Sequence, residues 1–131
     1  MKRTWAFILV SLILAGLAGW SWHGALAAPP AQADVALITS PQNNAVVRGQ
    51  VPIMGSAMHP QFQFYKVEFG VGDNPSQWTF VLSGNAPVTN SVLGVWDTGP
   101  VPAGTYSLRL VVVDQTGNFP EPCKVVVSVV K

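Results

Sequence analysis

The sequence predicts an all-β domain of seven antiparallel strands, preceded by an N-terminal export segment. Three observations carry that expectation. From Asp34 onward, short apolar segments are separated by Gly, Pro, Asn and Asp; that stretch has no helical stripe of useful length; and two cations precede a long uncharged run at the N-terminus. A chain of 131 residues allows one domain and little more.

At the N-terminus, Lys2 and Arg3 stand before an uncharged run of 18 residues, from Trp5 to Trp22, and Ala25-Leu26-Ala27 offers the small-x-small pattern of a cleavage site. The run is longer than the roughly 7–15 residues of a secretory core and shorter than the roughly 20 of a spanning helix. Residues 1–27 therefore read either as a cleaved signal peptide or as a signal anchor, a membrane helix over residues 5–22. In both cases the two cations hold the start inside and the rest of the chain is delivered outside, either secreted or anchored to the cytoplasmic membrane with the domain outside. Trp20 and Trp22 would sit in the headgroup region of an anchor. No Cys stands near residue 28 to carry a lipid. Residues 28–33, Ala-Pro-Pro-Ala-Gln-Ala, form an Ala/Pro linker whose paired prolines favour an extended conformation.

The domain spans 34–131, with strands expected at 35–39, 48–57, 64–71, 78–82, 88–95, 105–114 and 124–130. Seven strands in about 98 residues is the arithmetic of an immunoglobulin-like or fibronectin type III-like β-sandwich. Alternation assigns the faces. Tyr65, Val67 and Phe69 point inward opposite Lys66 and Glu68; Tyr106, Leu108, Leu110 and Val112 point inward opposite Ser107 and Arg109; Cys123, Val125, Val127 and Val129 point inward opposite Lys124 and Ser128. The opposite faces are expected to be wet. Turns fall at Ser40-Pro41-Gln42-Asn43-Asn44, at Gly72-Asp73-Asn74-Pro75 and at Gln115-Thr116-Gly117-Asn118.

The composition excludes several functions. A formal charge of +1, or −1 once residues 1–27 are removed, with no basic cluster, argues against nucleic acid. Cys123 is the only thiol, so no intramolecular disulfide can form; inward parity makes it a small core residue, with an exposed reactive thiol as the alternative. His59, in a Met-His-Pro loop, reads as a solvated loop histidine. Without an orienting group or paired carboxylates, no enzyme activity is expected. Cys123 and the domain's one His are too few for zinc. Asp73, Asn74, Asp97, Asp114 and Asn118 could offer oxygens to calcium, but these are also ordinary turn residues without EF-hand spacing; no cofactor is expected.

The aromatic residues supply the candidate binding surface. Trp78 and Trp96 suit a core, or alternatively a platform on which a glycan stacks. Phe62 and Phe64 share a parity opposite to Tyr65, Val67 and Phe69, so unless a bulge shifts the register they form an outward pair beside Lys66 and Glu68.

Ile38-Thr39-Ser40-Pro41, Val51-Pro52-Ile53-Met54-Gly55-Ser56-Ala57, Tyr65-Lys66-Val67-Glu68, Trp96-Asp97-Thr98, Pro102-Ala103-Gly104-Thr105-Tyr106-Ser107-Leu108-Arg109-Leu110 and Asp114-Gln115-Thr116-Gly117-Asn118 together resemble the exported bacterial Ig-like modules, over residues 35–131. Such modules accompany cell-surface proteins, secreted proteases and penicillin-binding proteins. The resemblance implies adhesion, spacing or ligand display rather than catalysis, and it implies that Tyr106 forms a tyrosine corner. The expected function is a non-enzymatic module binding an envelope or surface protein or a cell-wall polymer. The alternative is a carbohydrate-binding module.

Overall fold

The computed structural model describes residues 34–131, so the expectations for segments 1–27 and 28–33 lie outside the described residues. Within them the chain is all-β, without a helix. The strands are β1 (Val35–Ser40), β2 (Ala45–Val47), β3 (Gln50–Met58), β4 (Phe62–Val71), β5 (Thr79–Gly84), β6 (Val88–Asp97), β7 (Gly104–Asp114) and β8 (Cys123–Val129). They form two sheets, β1-β3-β6 and β2-β8-β7-β4-β5.

The seven expected segments each coincide with a strand, and β2 makes an eighth. It was invisible to alternation because it has three residues and pairs in parallel with β8, the one parallel ladder among antiparallel ones. Asn43 and Asn44 dock it there. The Val126 amide donates to Asn43 Oδ1 at 2.8 Å, and the Asn44 amide, at a φ of 70°, donates to the Val126 carbonyl at 2.6 Å. Between β1 and β2 the chain leaves one sheet for the other, through a cis Ser40–Pro41 peptide.

One core fills the space between the sheets, with Ile38, Ile53, Leu93 and Trp96 from the smaller sheet meeting Tyr65, Val67, Leu108, Leu110, Val112 and Val127 from the larger. Ile53, Leu108 and Leu110 are fully buried, each contributing about 1.5–3 kcal/mol by removal from water. The inner faces read from alternation in β4, β7 and β8 fit this core.

The outer face of the larger sheet corrects the expectation of a wet surface. Ser107 and Glu68 are buried there, and so are Val111 and Val113. Around Ser107 the cover is a fold-back of the β4–β5 connection. Pro75 and the Gln77 carbonyl lie so close to Gly70 that a Cβ there would collide with both. Ser107 Oγ donates to the Gly72 carbonyl at 2.8 Å, and Lys124 Nζ to that of Asp73 at 2.6 Å. Beneath this cover Glu68 accepts from Arg109 Nε at 2.8 Å, with a second Arg109 contact at 2.8 Å and Lys66 at 3.2 Å. A buried carboxylate needs such partners, because an unpaired one would carry a large desolvation cost.

Candidate functional site

The two sheets meet along two lateral seams. Along one, the chain itself crosses, from β1 to β2, and the Ile38 amide donates to Cys123 Sγ at 3.4 Å. Cys123 is thus half-buried against the core.

Along the other seam the chain crosses from β5 to β6 at one end, through the short connection 85–87, and beyond that end side chains close the gap. Tyr65 Oη reaches from β4 to donate to the Leu93 carbonyl of β6 at 2.7 Å. Its ring lies so close to Gly84 that a Cβ there would sit 2.5 Å away, and Leu82 covers Gly94 in the same manner. Burial raises the Tyr65 phenol above its ordinary value, since the charged form is disfavoured away from water.

Farther along, β5 and β6 diverge and a cleft of about 580 Å³ opens. Phe69, Trp96 and Tyr106 line its depth as a ring cluster, with Phe69 5.4 Å from Trp96 and 5.7 Å from Tyr106 between centroids. Phe80, Val71 and Val95 form exposed apolar lips; Phe80 is 59% and Val71 75% exposed. Pro100, Val101 and Pro102 make the end wall, and Tyr106 Oη donates to the Pro102 carbonyl at 2.7 Å. Asp97 is the only charged residue of the lining.

This cleft lies at the opposite end of the strands from Asp34. Tyr106 opens β7 beside the cleft, whereas Asp114 closes β7 near Asp34; the eight intervening steps cover about 26 Å at ~3.3 Å each.

The four residues expected to bind do not converge. Trp96 is 3% exposed, a core residue whose ring borders the cleft, rather than an open platform. Trp78 is half-buried on the outer face of the larger sheet, with the Arg109 guanidinium 4.3 Å from its ring centroid. Phe62 and Phe64 are not an outward pair. The register of β4 against β7 shifts between them, so Phe62 packs on the core 6.4 Å from Tyr65, while Phe64 pairs with Val113 and is half-buried. The bulge re-aims one ring without moving the other.

His59 also differs from its expected solvated state. Its side chain is 14% exposed, with Nε2 3.5 Å from Asp34 and 3.7 Å from Asp114, while Nδ1 accepts the Gln61 amide at 2.9 Å. Asp114 lies below the usual carboxylate range. The Thr116 hydroxyl is the main cause; partial burial opposes it, and the Thr116 and Asn118 amides and His59 assist. Among the described residues, no group of three His, Cys, Asp or Glu side chains is arranged to hold a metal.

Reasoning along the sequence groups Phe80 with the aromatic residues of the middle strands without placing it in a site, and it misses Val71, Val95 and Pro100–Pro102. A signal was present in Pro100-Val101-Pro102, a stiff apolar step just before β7. In comparisons with known proteins, no family model and no curated protein matches the chain.

Proposed function

We propose that the chain is an exported, non-enzymatic Ig-like module that binds an apolar segment of an envelope or surface protein in the β5–β6 cleft. The observation that carries this reading is the cleft itself: exposed Phe80, Val71 and Val95 stand around a ring-lined hollow, whereas the exposed Leu37, Val46, Met54, Val92 and Phe119 lie outside its lining. Several features support the Ig-like part. These are the three-and-five division of strands, a first strand divided between the sheets, and the Tyr106–Pro102 hydrogen bond that the resemblance implies. Lys2-Arg3, the uncharged run and Ala25-Leu26-Ala27 support export, either into the medium or to the outer side of the cytoplasmic membrane.

Glycan stacking has less support. Trp96 exposes too little of its ring, and Arg109 lies over Trp78.

The test is crosslinking of the full exported chain within its own envelope, comparing wild type with Phe80→Ala. Phe80 is exposed, so its loss should change stability by no more than about 0.5 kcal/mol. Loss of the crosslinked species in the variant is the expected result. An unchanged crosslinking pattern would retire the cleft as the binding surface.

A further inference from the structure

We infer that the segment the cleft accepts is an extended proline-containing peptide whose neighbouring Lys or Arg pairs with Asp97. This rests on the binding reading above and narrows it to one ligand chemistry.

Free hydrogen-bonding groups are scarce in the lining. Pro100 and Pro102 have no amide hydrogen, and the Val101 amide already donates to the Thr98 carbonyl at 2.9 Å. Tyr106 Oη is committed to the Pro102 carbonyl. The remaining side chains are Phe, Val and Trp, apart from Asp97. Among the lining side chains only the Asp97 carboxylate and the Tyr106 hydroxyl oxygen can accept, so most amide hydrogens of an ordinary peptide would have to find a backbone carbonyl, and each one left unmatched would cost about 1–3 kcal/mol. Proline brings no such hydrogen. Its fixed φ also holds the segment in a polyproline II conformation before binding, so little entropy is lost, and its apolar ring suits aromatic-lined grooves.

Strand addition, the other common mode for an extended peptide, is blocked just before the hollow. Tyr65 Oη occupies the Leu93 carbonyl of β6, and Leu82 covers Gly94.

Charge supplies the second half of the inference. Asp97 Oδ1 accepts the Gly99 amide at 2.9 Å, which fixes the carboxylate, while among the described residues Oδ2 is in no hydrogen bond or ion pair. Lys131 is engaged with the carbonyls of Thr98 and Gly99. A fixed, exposed carboxylate beside an apolar hollow favours a cation flanking the prolines.

The test uses the full exported chain, isotopically labelled, titrated with a synthetic ten-residue peptide carrying two Pro-Pro steps and one Arg. Two further peptides replace every proline with alanine or with leucine. The proline peptide should shift the amide resonances of Phe80, Val95 and Val101, and the alanine peptide should not. Asp97→Asn, which keeps Oδ1 for Gly99, should weaken binding about two- to fivefold, an effect that added salt removes. A leucine peptide binding at least as tightly would overturn the proline assignment and leave the cleft a binding site. Unchanged affinity in Asp97→Asn would overturn the cation. Shifts at Phe80 and Val95 that grow with protein concentration alone would replace the peptide with a second copy of the chain. Silence with all three peptides would overturn the assignment; only if the crosslinks also survive Phe80→Ala does the cleft reading fall with it.

Discussion

The two seams of the molecule solve one problem in different ways. On the β1/β2 side the backbone passes from sheet to sheet, so closure is covalent and the edge strands are tied by hydrogen bonds to β3 and β8. On the β5/β6 side the chain also crosses, but only at the Gly84 end, through residues 85–87; past that end closure depends on Tyr65, Leu82 and two glycines, and beyond those contacts the sheets separate. The difference teaches that a hollow forms along the part of a seam far from the chain's own crossing, where the bridging side chains stop.

The largest effect should come from the β1/β2 side. A Cβ at Gly55 would land on the Leu37 carbonyl oxygen, and because that atom is backbone, β1 must move away from β3. Gly55→Ala should cost about 3–5 kcal/mol, measured by denaturant unfolding. A loss below 1 kcal/mol would show that β1 can shift freely.

Next is the bridge across the side-chain seam. Tyr65→Phe removes the hydroxyl from the Leu93 carbonyl and should cost about 1–2 kcal/mol. It should also change the alkaline limb. Because the folded-state phenol ionises above its ordinary value, its contribution is fully present below about pH 10 and is lost as pH rises through the folded value. The variant should therefore lose stability less steeply in that window. Identical slopes for the two proteins would refute the assignment.

The smallest effect belongs to Gly94→Ala. Its Cβ meets the flexible end of Leu82 rather than backbone, so the penalty should be about 1 kcal/mol. A penalty as large as that of Gly55→Ala would erase the distinction between the seams.

Period-two alternation made the strands and the inward faces of β4, β7 and β8 legible, since each residue there reports its own side. Features made by pairing between distant segments were not legible. β2 exists because Asn43 and Asn44 meet Val126; Phe62 turns inward because β4 slips one residue against β7; His59 leaves solvent because Asp34 and Asp114 approach it. The cleft belongs to this second group. Its lips come from β4, β5 and β6 and its end wall from the connection into β7, so no local window contains it. Trp96 is buried in the core, yet the same ring borders the hollow.

The separation of Asp34 from the cleft has a mechanical meaning. A pull between the start of β1 and a ligand seated beside Tyr106 would run lengthwise along the strands. Load in that direction would fall on many ladder hydrogen bonds at once and would not peel them one after another, so the ladders would resist such a pull together.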